Sequence, residues 1–136
     1  MVSIRIGAEA GEAMLAHARA AYPEECCGVM LGAGEEVRLA LPMENTAASR
    51  RTRYEIRPED LLEATRAARE RGPRLIGVYH SHPDRDAYFS ETDLKNCCPW
   101  YLYLVLSIKD GAFDHAACWR PDTDRAIICP CEFEQR

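Results

Sequence analysis

Two histidines and an aspartate lie close together in the middle of the sequence, within residues 80–93. His80 and His82 are two positions apart at the end of a predicted strand. Side chains two positions apart on a strand point to the same face, so both imidazoles can reach one metal ion. Asp93, at the start of the next predicted helix, is a third candidate ligand. A catalytic zinc ion typically takes three protein ligands and keeps a fourth position for water, so the spacing is compatible with a zinc site.

The same aspartate also fits a purely structural pattern. Ser90 to Asp93 reads S-E-T-D, which matches a capping box with Ser90 as the N-cap and Asp93 as the acid of the first turn. That role would occupy Asp93 without any metal. The two interpretations differ in where the carboxylate points. A capping acid turns back to its helix end, whereas a ligand turns toward the two histidines.

A hydrolytic zinc site also needs a general base that takes a proton from water and passes it to the leaving amine. Glu24 and Glu25 are the candidates, because both directly precede an apolar strand predicted for Cys26–Leu31. The alternative for both is a solvated acidic pair after a helix end. The residues alone do not choose between the two glutamates.

The elements that must position these residues follow from hydrophobic periodicity and turn signals. The predicted order is β-α-β-β-α-β-(short helix)-β-β-β, which gives an α/β fold with a mixed sheet and helices packed on it. A polar, flexible loop is expected over Met43–Tyr54, and the short helix follows Ser90. The two longer helices are predicted at Ala8–Ala21 and Pro58–Arg71, and the strands at Ser3–Ile6, Cys26–Leu31, Glu36–Pro42, Leu75–Tyr79, Trp100–Ile108, Phe113–Trp119 and Ala126–Cys129.

Length and charge restrict the function classes. A chain of 136 residues with 47% hydrophobic and 29% charged residues suits a single domain over residues 1–136. The net charge of −5 argues against a nucleic-acid partner. The first residues carry no signal-peptide pattern and no apolar run is long enough to span a membrane, so we expect a cytoplasmic protein.

Seven cysteines are many for a chain of this size, and an odd number argues against a disulfide framework. None of them forms a C-x-x-C pair, so we expect small, buried thiols. A second zinc site made of Cys97, Cys98, Cys129 and Cys131 is a less favoured alternative.

The histidine segment resembles the signature of the JAMM (MPN+) metalloprotease family, which is H-x-H, seven residues, then S-x-x-D. Here it reads His80-Ser81-His82, then residues 83–89, then Ser90-Glu91-Thr92-Asp93. Residues 22–32, YPEECCGVMLG, are similar to the family segment that carries the catalytic glutamate. The resemblance covers nearly the whole chain and is strongest for small bacterial members.

The resemblance implies a fold and a set of roles. His80, His82 and Asp93 would bind Zn²⁺, Glu25 rather than Glu24 would be the general base, and the Ser90 hydroxyl would help to hold the oxyanion. The fold would be the cytidine-deaminase-like α/β sandwich of MPN domains. The reaction would be hydrolysis of a peptide or isopeptide bond. In small bacterial members it often follows the C-terminal Gly-Gly of a ubiquitin-like sulfur-carrier protein of the ThiS/MoaD type.

Two features depart from the family pattern: Phe89, and the Cys97-Cys98 pair, which belongs to no family motif. Phe89 precedes Ser90 where many bacterial relatives have proline, which changes the substrate side and leaves the ligands alone. The segment from Asp93 to Trp100 is short, which argues against the insertions that eukaryotic deubiquitinases use to bind polyubiquitin. A simple, extended substrate tail is therefore expected, and we predict that it adds to a sheet edge beside the site.

Four other functions remain as alternatives. A non-catalytic MPN scaffold predicts missing ligands, and a RadC-like protein predicts an upstream helical DNA-binding region, neither of which this sequence shows. A cysteine hydrolase would use Cys26 or Cys27 with His80. A zinc deaminase needs H-x-E with P-C-x-x-C, which the Cys129-Pro130-Cys131 segment does not supply.

Overall fold

The computed structural model describes residues 3–135. Its helices are α1 (Ala8–Ala21), α2 (Pro58–Arg71) and α3 (Glu91–Asn96). Its strands are β1 (Ile4–Ile6), β2 (Cys27–Ala33), β3 (Glu36–Met43), β4 (Arg74–Pro83), β5 (Leu102–Lys109), β6 (Ala112–Asp122), β7 (Arg125–Cys129) and β8 (Cys131–Phe133).

All eight strands described in residues 3–135 join one mixed sheet, in the order β7-β6-β5-β4-β2-β3-β1-β8. β4 and β5 are parallel, β1 is parallel to both β3 and β8, and the other pairs are antiparallel. The predicted α/β class with a mixed sheet is confirmed.

Each face of the sheet carries one of the two long helices. The buried residues Ala10, Met14 and Ala18 of α1 recur at helical spacing and pack with β-strand residues such as Leu104. On the other face, α2 packs Ala64 and Ala68 against Val29 and Leu31 of β2. The small alanines let both helices lie close to the strands, so the sheet is covered on both sides at its centre.

Strand alternation decides which face of β4 carries chemistry. Tyr79 belongs to the cluster that packs against α1, so its neighbours His80 and, two residues on, His82 face the α2 side. Gly28 lies opposite Tyr79 on β2, where a Cβ would come within 2.4 Å of the tyrosine ring and 2.5 Å of the Leu41 carbonyl oxygen. Glycine is therefore needed there for β2 and β4 to pair beside the site.

The helix bounds are as predicted for α1 and α2, and most strand bounds differ by one or two residues. β4 is longer than predicted, because it continues past Tyr79 through both histidines to Pro83. β8 was missed: three residues after Pro130 give too short a pattern to recognise. The expected sheet edge beside the site was wrong, because β4 is flanked by β2 and β5.

The expectation of buried thiols holds for Cys26, Cys27 and Cys118 and is wrong for the other four cysteines, which are partly exposed. All seven cysteines are free, which agrees with the prediction of no disulfide framework. Within residues 3–135, the second zinc cluster does not form, because no close group of three metal-ligating side chains contains a cysteine. In the same part of the chain, none of the helices has the length and apolar character to cross a membrane.

Candidate active site

β4 carries both histidines into the interior. In the strand register His80 lies between Cys27 of β2 and Val105 of β5, so it is enclosed by neighbouring strands on both sides. His80 and His82 are 0% and 1% exposed, and their ring centroids lie 5.1 Å apart. Two imidazoles buried this deeply need polar partners, which come from α3 and from the loop after β4.

Asp93 reaches the histidines from the first turn of α3. Its Oδ2 lies 3.2 Å from His80 Nε2 and 3.5 Å from His82 Nε2. The same Oδ2 accepts the Ser90 backbone N–H at 3.0 Å, and the Asp93 N–H donates to Ser90 Oγ at 3.0 Å, which completes the capping box. The capping and ligand-facing interpretations are therefore compatible. Burial would raise the pKa of Asp93, but hydrogen bonds from His80 and His82 hold it well below its usual range.

The ring orientation of each histidine has a visible cause. His82 Nδ1 lies 2.8 Å from the Asp86 carbonyl oxygen, which only accepts, so Nδ1 carries a proton and Nε2 is directed toward Asp93. His80 stacks on Tyr54 at 4.4 Å between ring centroids and 26° between ring planes. His80 Nδ1 is buried and has no hydrogen-bond partner within residues 3–135.

Glu25 is brought to the histidines by its backbone. Its N–H donates to the Arg50 carbonyl at 2.6 Å, and its carbonyl accepts from Asn45 Nδ2 at 2.9 Å. Glu25 is 3% exposed, and ligand atoms of Glu25, His80 and His82 all lie within 4.8 Å of one another. Glu24 instead is exposed and lies 3.6 Å from Arg50. Of the two glutamates left open by the sequence, only Glu25 lies at the site.

The two oxygens of the Glu25 carboxylate have different surroundings. Oε2 lies 2.5 Å from Arg85 Nη2, whereas Oε1 is buried and has no partner within residues 3–135. Burial raises the pKa of Glu25, and the positive charges of His80, His82 and Arg85 oppose that shift. A carboxylate with a raised pKa and one free oxygen is suited to act as a general base.

The donor set fits a zinc ion. Two imidazoles and two carboxylates converge, and zinc binds nitrogen and oxygen donors of this kind. One of the buried carboxylate oxygens, Glu25 Oε1, lacks a partner in the described part of the chain. Buried polar atoms without partners are costly in a finished core, so their presence indicates a site built for a further ligand.

A cysteine nucleophile does not fit the geometry. Cys26 and Cys27 are 2% and 0% exposed. Burial raises the pKa of Cys26 to about 11 and that of Cys27 to about 12. The thiolate is the reactive form, so both groups are inert at neutral pH, which argues against the cysteine hydrolase alternative.

The sequence interpretation missed the residues that hold the site in shape. Tyr54 belongs to the loop expected to be flexible, and Arg85 to the six residues after β4. Ser107, His115 and Trp119 on β5 and β6 contact residues 84–89 from the side. No sequence pattern gives the direction of these side chains, because it depends on how three strands and two loops meet.

A cavity of about 340 Å³ adjoins the site on the α2 side. Asp93 and Tyr54 line it together with apolar and aromatic side chains of α2, β4 and β5, including Leu61, Val78 and Tyr103. The cavity therefore meets the site at Asp93 and at Tyr54, whose ring stacks on His80.

Comparison with solved structures defines the class of protein. The chain superposes on a solution structure of a Desulfitobacterium hafniense protein with a TM-score of 0.84 and 26% identity, over 97% of this chain and 94% of that one. A JAB1/MPN domain protein from Archaeoglobus fulgidus matches with a TM-score of 0.59 and 14% identity, over 97% and 99% of the two chains. The fold is that of JAB/MPN domains.

Comparison of sequences then gives the family. Residues 8–121 match the profile described as "Prokaryotic homologs of the JAB domain". The desampylase of Haloferax volcanii is 36% identical over 136 residues, which is 95% of this chain and 96% of that protein. The CysO-cysteine peptidase of Mycobacterium tuberculosis is 34% identical over 108 residues, which is 77% of this chain and 73% of that protein. The chain belongs to the small prokaryotic JAMM/MPN family, as the resemblance implied.

Proposed function

We propose that the protein is a zinc metallopeptidase in which His80, His82 and Asp93 bind the metal and Glu25 is the general base. The observation that carries this is the convergence on Asp93 Oδ2 of both histidine Nε2 atoms, at 3.2 and 3.5 Å, with buried Glu25 beside them. The proposal takes Asp93 rather than Glu25 as the third ligand, because Asp93 Oδ2 faces both histidine Nε2 atoms whereas Glu25 is paired with Arg85.

Zinc, when bound here, would supply a Lewis acid that lowers the pKa of water to about 7 and polarises a carbonyl group. Glu25 takes a proton from the attacking water on its free oxygen Oε1 and delivers it to the leaving amine. Ser90 Oγ already accepts the Asp93 N–H, so its hydroxyl hydrogen is left to donate to the oxyanion. The amide bond breaks between the carbonyl carbon and this protonated amine.

The proposed substrate is a ubiquitin-like sulfur-carrier protein, cut after its C-terminal Gly-Gly. The names of two relatives, desampylase and CysO-cysteine peptidase, support peptidase action, and the family resemblance supports the carrier. Glycines next to the scissile bond would let the substrate backbone approach the buried histidines closely. The cavity beside Asp93 offers room for the residues that precede them.

We also infer that residues 1–136 act as one JAMM domain in the cytoplasm. The eight strands described within residues 3–135 form a single sheet with one helix on each face, which supports one domain. Seven free thiols support a reducing compartment.

The metal assignment is tested first, by mass spectrometry of the purified protein. About one zinc per chain is expected in the wild type, and its loss is expected in His82→Ala and in Asp93→Ala. His17→Ala is the matched control, because His17 is a partly buried histidine that bonds Tyr79 on the α1 side of the sheet. Zinc retained in both ligand variants, or absent from the wild type, would overturn the assignment and favour a non-catalytic scaffold.

The reaction is tested on a ubiquitin-like carrier whose C-terminal Gly-Gly is extended by a reporter peptide. The zinc-loaded wild type is expected to release the reporter and expose Gly-Gly. Glu25→Gln keeps the size of the side chain and loses the base, so it should retain zinc while cleavage falls by about 10²–10⁴-fold. An enzyme that leaves this conjugate intact but cuts unrelated peptides would contradict the proposed substrate.

A further inference from the structure

We propose that Arg85 is a positioning residue for Glu25, which holds one carboxylate oxygen so that the other stays free to take the proton. The proposal rests on the proposed function, in which Glu25 is the general base. Arg85 occupies one of the seven unspecified positions between His82 and Ser90, so the JAMM signature assigns it no role.

The ion pair is asymmetric in burial and in contacts. Arg85 Nη2 lies 2.5 Å from Glu25 Oε2, and the two side chains are 31% and 2% exposed. Glu25 Oε1 has no partner in the described part of the chain. Arg85 thus enters from the solvent side and binds one oxygen of the carboxylate, which restricts the rotation of the Glu25 carboxylate and leaves Oε1 without a partner in the described part of the chain.

Arg85 can fix another residue only if it is itself fixed. Its carbonyl accepts a hydrogen bond from Ser107 Oγ at 2.5 Å, and Ser107 is fully buried on β5. The next two residues are also held: the Asp86 carboxylate by Lys109 Nζ at 2.6 Å, and the Ala87 N–H by His115 Nε2 at 3.0 Å. The guanidinium therefore extends from a backbone that β5 and β6 keep in place.

The kinetic test compares Arg85→Ala and Arg85→Lys with the wild type on the Gly-Gly conjugate, after equal zinc loading is verified. Arg85→Ala should lower kcat about a hundredfold, the order expected for a displaced catalytic group, and leave KM nearly unchanged. Arg85→Lys should recover part of kcat, since it keeps the charge but not the planar fork. Arg38→Ala removes an exposed arginine that pairs with Glu36 at 2.7 Å and should leave both constants unchanged.

Two kinetic outcomes would overturn the inference: a kcat that survives Arg85→Ala, or a loss confined to KM, which would make Arg85 a substrate-binding residue. Thermal unfolding supplies a readout that needs no activity. Arg85→Ala should lower the Tm of the wild type more than it lowers the Tm of Glu25→Gln, because the two side chains are coupled. Equal Tm shifts in the wild type and in Glu25→Gln would also overturn the inference. If the zinc-loaded wild type cleaves nothing, the proposed function fails. The comparison of Tm values in the two backgrounds still decides whether Arg85 and Glu25 are coupled.

Discussion

Asp93 Oδ2 is shared by three groups at once. It lies 3.2 and 3.5 Å from the two histidine Nε2 atoms and accepts the Ser90 N–H at 3.0 Å. A helix N-terminus stabilises a carboxylate, so the capping box holds the Asp93 side chain in place without a metal ion. The S-x-x-D half of the family signature is therefore a capping box whose acid also faces the histidines.

Buried thiols make the stability of the protein sensitive to high pH. Burial raises the pKa of Cys26 to about 11 and the pKa values of Cys27 and Cys118 to about 12. An exposed thiol has a pKa of about 8.5, so between about pH 9 and 11 the unfolded chain loses these protons while the folded chain keeps them. The stabilisation is complete below the unfolded value and is lost as the pH rises toward the folded values.

Urea unfolding at several pH values measures this effect. We expect the free energy of unfolding to fall by up to about 1.4 kcal/mol per pH unit for each buried thiol above about pH 9. Cys118 lies away from the histidines on β6. Cys118→Ala should remove the contribution of one thiol from that slope, whatever the substitution does to the free energy of unfolding at neutral pH. An unchanged slope in this variant would contradict the expectation.

At the scale of elements, residues 84–89 form a return loop that is held in place by side-chain hydrogen bonds. The β5–β6 hairpin provides four of its anchors, from the side chains of Ser107, Lys109, His115 and Trp119. The return loop in turn accepts a hydrogen bond from His82 and carries Arg85 to Glu25. The hairpin therefore determines the geometry of a site to which it contributes no proposed ligand.

Trp119→Phe tests this support with a small change. The variant keeps an aromatic ring and removes the hydrogen bond from Trp119 Nε1 to the Ala87 carbonyl, which spans 3.0 Å. We expect a loss of about 1 kcal/mol in stability and faster amide hydrogen exchange in residues 84–89. Trp100→Phe is the matched control, because Trp100 is 70% exposed and should alter neither quantity. Unchanged exchange in Trp119→Phe would show that the other anchors suffice.

The part of the site that the sequence could predict is the part fixed by local geometry. The i, i+2 spacing of His80 and His82 already places both on one face of a strand, and S-x-x-D already implies a helix start. Glu24 and Glu25 are adjacent, so the residue pattern alone does not separate them, whereas in the structure backbone hydrogen bonds with Arg50 and Asn45 hold Glu25 at the site. Arg85 could not be predicted, because its direction depends on anchors more than 20 residues later.

At the scale of the whole molecule, the two outermost strands of the sheet are neighbours in sequence. β7 ends at Cys129 and β8 begins at Cys131, so only Pro130 separates opposite ends of the strand order. Ile4 N–H donates to the Pro130 carbonyl at 2.8 Å, which ties this crossing to β1. The sheet must therefore curl until its two edges approach each other, with α1 packed against it.

Phe133 tests what this closure contributes to stability. Its ring is half-buried on β8 and packs so closely on α1 that a Cβ at Gly11 would lie 2.9 Å from it. Phe133→Ala should cost about 2 kcal/mol, less than a fully buried phenylalanine, and should leave zinc content and kcat unchanged. Glu132→Ala, on the exposed side of the same strand, is the control for the unfolding measurement. A loss of zinc in Phe133→Ala would show that closure of the sheet by β8 and the zinc site are not independent.

The pairing of β1 with β8 also has a consequence for the order of folding. Ile4 pairs with Cys131 and Ile6 with Phe133, so one edge of the first strand finds its partner more than 120 residues later. Contacts between such distant residues form slowly, since a long stretch of chain must first be ordered. During synthesis, β1 keeps this edge exposed until the other seven strands have been made. The active-site strands β2, β4 and β5 can assemble earlier, so closure of the sheet comes after the site has formed.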